Sequence, residues 1–425
     1  MKRLGIWLCL LGIFFQQAYA QTSPLVMRHA DSLAAMRKSG FLLLHGRVRF
    51  THDSIEFRTG RATWNKNLDK VDCEGNFLFR HPDGYMKAKS GSYQRKTEIA
   101  IAVGSVEAKD SAGTYAFFGN HLVYNKKEKI LTLTQNPLLH QYQVQKNGKI
   151  DTTAVRAEYI YFDQNAEFAK AFQNVVITQG NMVVTCDSGY LDKKNNWVAL
   201  KGSPKFTMDG YELTGDSIYL TIDADERTLK SALVIRNAQG KQYEKGKRGK
   251  PDQFTEARGD TLYAEFDKDK IQSLYVNLNA NGFFYEGDFV DYKNKMEGGR
   301  LDLTFKNGKL KGALISGDAQ STYFHVMEKK RQIEGKNEAA GDTIRIAFDD
   351  GKVKHLKLSG KKTLASGRYV DLTKENILPQ ISKDTTIKNF TKQSLEKIKE
   401  EREKQVKQQA QPKGKSVRDK KEGRK

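Results

Sequence analysis

Eight histidines, His29, His45, His52, His81, His121, His140, His325 and His355, are scattered along the chain. None falls in the H-E-x-x-H spacing that sets two imidazoles and a general base on one helix face for zinc hydrolysis. No Gly-x-Ser-x-Gly nucleophile elbow occurs. The glycines near Gly240 and Gly246 precede Lys247 and Arg248, but they miss the phosphate-loop spacing by one residue and lack its Ser/Thr. Asp223-Ala224-Asp225 begins like a calcium loop, yet Arg227 and Leu229 then occupy ligand positions. Paired acids such as Asp349 and Asp350 sit at a turn signal. The expectation is a non-enzyme with no catalytic residue, metal or cofactor. A polysaccharide-active β-helix enzyme is the lesser alternative, because a carboxylate dyad can be assembled from distant segments.

What does recur is a short acidic-hydroxyl motif with an aromatic partner. It reads Asp187-Ser188-Gly189-Tyr190, Asp216-Ser217-Ile218-Tyr219 and Asp260-Thr261-Leu262-Tyr263, with a weaker copy at Asp342-Thr343-Ile344-Arg345. Asp and Ser/Thr side chains bond nearby backbone groups, so the motif suits a turn that opens a strand, a structural role. A "glycine, x, apolar" marker keeps step with it. Gly46-Arg47-Val48, Gly75-Asn76-Phe77 and Gly104-Ser105-Val106 are spaced by 29 residues, followed at near-fixed offsets by Trp64, Tyr93 and Tyr124. Asn174-Val175-Val176 and Gly202 continue the series, and Tyr161, Tyr190 and Tyr219 repeat the 29-residue step. Aromatics at fixed repeat positions are read first as packing ladders and second as ligand contacts.

The elements that carry these motifs are strands. Val48 and Phe50 alternate with Arg47 and Arg49; Leu262, Ala264 and Phe266 alternate with polar neighbours; so do Leu301, Leu303 and Phe305, and Ile344, Ile346 and Phe348. Period-two alternation marks strands with one apolar face. Asp83-Gly84, Asn147-Gly148, Asp209-Gly210, Asn307-Gly308 and Asp350-Gly351 mark hairpin turns. Between Gly40 and Val370 no long amphipathic helix is legible. One unit of this size cannot bury its apolar face alone, whereas stacked units share a continuous core or groove.

Composition sets the compartment and partners. Lys2 and Arg3, an apolar run from Leu4 to Phe15, and Ala18-Tyr19-Ala20 form a signal peptide over residues 1–20, cleaved after Ala20. Cys9 follows Leu8 rather than a small residue, which disfavours lipidation. Cys73 and Cys186 remain, with pairing left open. The formal net charge of +21, or +19 without Lys2 and Arg3, favours anionic partners; export excludes nucleic acid. Residues 21–39 read as a lead-in that holds a helical turn or two, 40–237 as β repeats, and 238–258 as a basic loop insertion. Residues 259–372 read as further repeats, with another insertion at 328–341. Residues 373–425 read as a basic tail, partly helical and then disordered, that is either a solubilising appendage or an anchor to an anionic membrane surface.

The segment Leu43-Leu44-His45-Gly46-Arg47-Val48-Arg49-Phe50-Thr51-His52-Asp53-Ser54, with the recurring glycine and Asp-Ser/Thr…Tyr themes, resembles the OstA-like proteins. These group with the lipopolysaccharide-transport bridge proteins LptA and LptC and the periplasmic domain of LptD. Composition looks like that of a Bacteroidetes member. The resemblance is strongest over residues 40–135 and extends, with interruptions, to about 370. It implies an all-β, elongated, stacked-rung β-jellyroll, one or two in series, open along one side. It implies a periplasmic location, with outer-membrane association as an option. Its partners would be lipopolysaccharide, held by the lipid A acyl chains, and further jellyroll subunits stacked edge to edge. On that reading Val48, Phe50, Phe77, Phe79, Val106, Val175, Ile177, Leu262, Phe266, Leu301, Leu303, Phe305, Ile344, Ile346 and Phe348 line the groove. The length, the two insertions and the basic tail depart from the small bridge proteins. A non-enzymatic structural or adhesive β-solenoid, with a dry interior, is the alternative.

Overall fold

A computed structural model describes residues 23–375, apart from 37–39, 145–147, 224–227, 247–250, 269, 328, 350–351 and 361–364. The signal peptide, the tail beyond 375 and the Asp350-Gly351 turn lie outside the described residues. Twenty-six strands follow one another: β1 (Val26–His29), β2 (Ser32–Met36), β3 (Phe41–His52), β4 (Ile55–Asn65), β5 (Lys70–His81), β6 (Gly84–Gln94), β7 (Ile99–Asp110), β8 (Tyr115–Asn125), β9 (Ile130–Thr134), β10 (Leu138–Val144), β11 (Ile150–Arg156), β12 (Tyr159–Asp163), β13 (Phe168–Gln179), β14 (Met182–Asp192), β15 (Trp197–Lys201), β16 (Lys205–Met208), β17 (Tyr211–Thr214), β18 (Ser217–Ile222), β19 (Leu229–Glu244), β20 (Gln253–Asp267), β21 (Lys270–Glu286), β22 (Asn294–Lys306), β23 (Lys309–Met327), β24 (Gln332–Asp349), β25 (Lys352–Ser359) and β26 (Ser366–Asp371). Two single 3₁₀ turns, at Gly287–Phe289 and Thr373–Glu375, are the helical elements among the described residues.

Most strands are too long for one sheet, and the glycine marker explains how they fold over. Gly46 and Arg47 both have positive φ, 76° and 46°; Gly75 and Asn76 follow at 79° and 56°, and Gly104 and Ser105 at 79° and 49°. Each pair faces a single residue on the next strand, skipping register between His45 and Val48, Glu74 and Phe77, and Val103 and Val106. Two residues against one is a β-bulge, which bends the strand and sharpens its twist. The same corner recurs at Gln173-Asn174, Arg236-Asn237, Leu278-Asn279 and Gly317-Asp318. At Gln135-Asn136 and Gly202-Ser203 the corner separates β9 from β10 and β15 from β16.

Every bent strand therefore contributes to two limbs of a V. The first limb runs β2-β3-β4-β5-β6-β7-β8-β9-β12-β13-β14-β15-β18-β19-β20-β21-β22-β23-β24-β25. The second runs β1-β3 through β8, then β10-β11-β13-β14-β16-β17-β19 through β24, then β26. All pairings are antiparallel. Twenty strands spaced about 4.8 Å apart make each limb roughly 90 Å long. The molecule is an elongated stacked-rung β-jellyroll, and one hydrogen-bonded sheet runs without a break through its length.

Four local expectations differ. The lead-in forms edge strands β1 and β2, not helical turns, because β3 offers it both limbs to pair with. Most of 241–258 is strand: Lys241 to Glu244 pair with Glu256 to Gln253. Residues 332–341 likewise lie in β24. Both stretches looked like loops because lysines and glutamates crowd the outward face. The Asp-Ser/Thr motif, finally, marks corners rather than turns. Asp216 accepts from the Asn237 amide (2.9 Å), Asp260 from the Asn279 amide (3.2 Å) and Asp31 from the Arg47 guanidinium (2.7 Å). Each carboxylate thus holds the second residue of a bulge. Cys73 and Cys186 are buried free thiols on β5 and β14.

Candidate functional site

The interior between the limbs is one apolar cluster that extends from Leu25 to Phe348. Val48, Phe50, Phe77, Phe79, Val106, Val175, Leu262, Phe266, Leu301, Leu303, Phe305, Ile344, Ile346 and Phe348 are all buried within it, and Ile177 is half-buried against it. Toward the N-terminal end the lining is aromatic. Phe50 stacks on Phe57 at 5.0 Å, and Tyr93 packs on Phe57 and Phe79 at 5.4 and 5.7 Å. Toward the other end aromatic and aliphatic residues mix, with Phe284 set edge-on to Phe348 at 4.9 Å among Leu301, Leu303, Ile344 and Ile346.

The mouth of the V, opposite the corners, is closed by contacts between the limbs. His52 on the second limb bonds through Nδ1 to the Tyr93 hydroxyl on the first, at 2.6 Å. One rung on, His81 Nε2 and the Tyr124 hydroxyl do the same at 2.6 Å. The Asp83 N–H donates to His81 Nδ1 (2.7 Å), so His81 Nε2 carries the proton and donates to Tyr124. Burial pushes both imidazoles below their ordinary pKa and both phenols well above theirs. Further along, Tyr115 meets Phe162 at 5.0 Å and Tyr211 meets Phe266 at 6.3 Å. Gln242 donates to the Gly308 carbonyl, and Lys309 lies 3.5 Å from Glu244.

Between the His81–Tyr124 pair and Phe162 the packing leaves a cavity of about 130 Å³. Phe79, Met86, Phe117, Leu122, Leu131 and Phe162 form its apolar wall, and Lys109, Lys129, Asp83 and Asp110 stand at its rim. The rim lysines are paired, Lys109 with Glu107 at 3.1 Å and Lys129 with Asp83 at 3.5 Å. An apolar void near 150 Å³ holds a molecule about the size of benzene, so this half-open pocket has room for a small apolar group.

Sequence reasoning missed Phe57, Tyr115, Phe117 and Phe162. Phe57 alternates with Ile55 and was findable. Ala116 and Phe117 are both buried, which breaks the alternation that would have located Phe117. The aromatic marker also changes face. Tyr93 is buried inside the V, whereas Tyr161, Tyr190 and Tyr219 are half-buried beside inward-facing Ile160, Gly189 and Ile218. Lys170 sits over the Tyr161 ring and Lys201 over the Tyr190 ring, 5.6 and 5.5 Å from their centres.

No family model and no curated protein matches the chain. Among solved structures it is similar to LptH of Pseudomonas aeruginosa, the LptA homologous periplasmic component of that organism's lipopolysaccharide transport device. The likeness covers 31% of this chain and 94% of LptH, at 17% identity and a TM-score of 0.25. A likeness of that size carries no inference about this chain's ligand. Among the described residues no helix is long and apolar enough to cross a membrane.

Proposed function

We propose that this chain is a periplasmic bridge protein that carries an amphipathic lipid, lipopolysaccharide in particular, between its two limbs toward the outer membrane. The observation that carries the reading is the unbroken apolar interior running between the limbs from Leu25 to Phe348, with strand edges that find no partner strand among the described residues at each end. A bridge needs a continuous apolar path and a way to join further copies, and edges supply the second by strand addition. Sugars and phosphates would stay outside, where the basic surface favours them. The chain's export, cleavage after Ala20, and contact of its basic tail with an anionic membrane belong to the same reading.

Loading requires the mouth to part, because the interior is filled by its own side chains. The magnitudes allow it. Burying an acyl chain of about twelve methylenes stabilises by roughly 10 kcal/mol at about 0.8 kcal/mol each. Against that stand the hydrogen bonds across the mouth, about 1 kcal/mol apiece, and the Tyr115–Phe162 and Tyr211–Phe266 ring contacts, each worth about 1 kcal/mol beyond the area they bury. The same filled interior favours the second reading, a structural or adhesive solenoid that never opens.

Photo-crosslinking separates the two. A photoreactive amino acid replaces Phe50, Phe162, Phe305 and Phe348 in turn in living Gram-negative cells, with exposed Arg49 as control and protease resistance as the check on folding. Adducts of lipopolysaccharide size at the inward positions and none at Arg49 are expected. Folded variants with no lipid adduct at any inward position would leave the solenoid reading standing and sink the transport reading.

A further inference from the structure

His52, Asp53 and Glu98 meet where the mouth closes at the N-terminal end. One ligand atom from each lies within 4.8 Å of the other two. Asp53 and Glu98 sit on tight turns of opposite limbs, each with positive φ, 49° and 53°. His52 is 2% exposed, and its Nδ1 is held by the Tyr93 hydroxyl. Its Nε2 points toward the Asp53 carboxylate at 3.6 Å, beyond hydrogen-bond reach. The equivalent rung makes the contrast plain, because both nitrogens of His81 are hydrogen-bonded. An imidazole fixed through one nitrogen, with the other facing the Asp53 carboxylate and Glu98 brought close by the opposite limb, is how metal-ligating histidines are set.

We infer that His52 Nε2, Asp53 and Glu98 bind a first-row divalent cation of the zinc class, which staples the two limbs together across the mouth. One imidazole and two carboxylates suit zinc and its neighbours, whereas calcium and magnesium take oxygen ligands alone. Ligand atoms around a tetrahedral zinc stand roughly 3.4 Å apart, so from separations within 4.8 Å the two turns need to close by at most about 1.4 Å, and Asp53 is exposed enough to move. The surrounding charges are specific. Lys126 lies 3.2 Å from Glu98 and competes with the cation, and Ser23 bonds Asp53. This inference does not depend on what the interior carries.

The test uses the full mature chain without a histidine tag. Zinc is titrated calorimetrically, and cobalt(II) reports the site through its visible ligand-field bands. One equivalent should bind, weakened tenfold or more by Asp53→Asn and by Glu98→Gln, with the cobalt bands lost, while His81→Gln leaves binding unchanged. Lys126→Met removes the competing ammonium and should tighten binding several-fold. Absence of stoichiometric binding overturns the assignment, as does binding indifferent to both carboxylate variants.

Discussion

A corner residue must do two things at once: adopt positive φ and leave room for the carboxylate that clamps the bulge. Gly46 and Gly75 separate these demands. Both have φ near 78°, but a Cβ on Gly46 would lie 2.2 Å from an Asp31 carboxylate oxygen, whereas one on Gly75 meets nothing within 4 Å. Gly75→Ala should therefore carry only the left-handed penalty of about 1 kcal/mol. Gly46→Ala adds the clash and should cost about 3 kcal/mol. Urea midpoints for the two variants check this, and equal shifts would mean that Asp31 swings aside freely. The glycine marker was legible in the sequence as a repeat, but its meaning was not. At Gln173, Arg236 and Leu278 the same conformation is taken without glycine, each followed by asparagine. Asn tolerates positive φ, so the pattern there survives only in its second residue.

Among the elements, inward faces were readable and element ends were not. Strict alternation in β22 and β24 gave Leu301 to Phe305 and Ile344 to Phe348 directly. It could not say where strands of 15 to 19 residues stop, because charged outward residues look the same in a strand as in a loop. Nor could it show which strand faces which across the V, since limb-to-limb contacts join residues from 41 positions apart, as in His52–Tyr93, to 66, as in Gln242–Gly308. Those contacts make a pH prediction. His52 faces Asp53, Glu98, Lys126 and Arg95, and His81 faces Asp83, Lys126 and Lys129, yet burial dominates and lowers both. A histidine whose folded pKa lies below its unfolded value of about 6.5 binds fewer protons when folded. Its stability contribution is present above that unfolded value and is lost as pH falls through the folded one. The melting temperature should drop between pH 7 and pH 5, and the double variant His52→Gln/His81→Gln should start lower but fall less steeply. A parallel fall in both proteins would assign the acid sensitivity elsewhere.

For the whole molecule the consequence of the V is its ends. Sheets that do not close leave edges, and here β1 and β2 stand at one end and β25 and β26 at the other. Soluble proteins usually protect such edges with charge or proline. Among the described residues the C-terminal edge follows that rule, with Lys352, Lys354 and Lys357 on β25. The N-terminal edge of the same limb does not. β2 reads Ser-Leu-Ala-Ala-Met, is exposed along its length, and turns Leu33 and Met36 half outward. An apolar edge facing a lysine-rich edge is self-complementary only head to tail, so addition is polar and extends along the 90 Å axis. Elongated oligomers whose mass rises with protein concentration are therefore expected in analytical ultracentrifugation of the chain from Gln21 onward. Leu33→Lys/Met36→Lys sets like charge against the lysines of β25 and should return the protein to monomer, most completely at low salt, where the repulsion is least screened. Oligomers that persist unchanged in that variant at low salt would show that the two edges do not meet, and a bridge built of copies would then need a different joint.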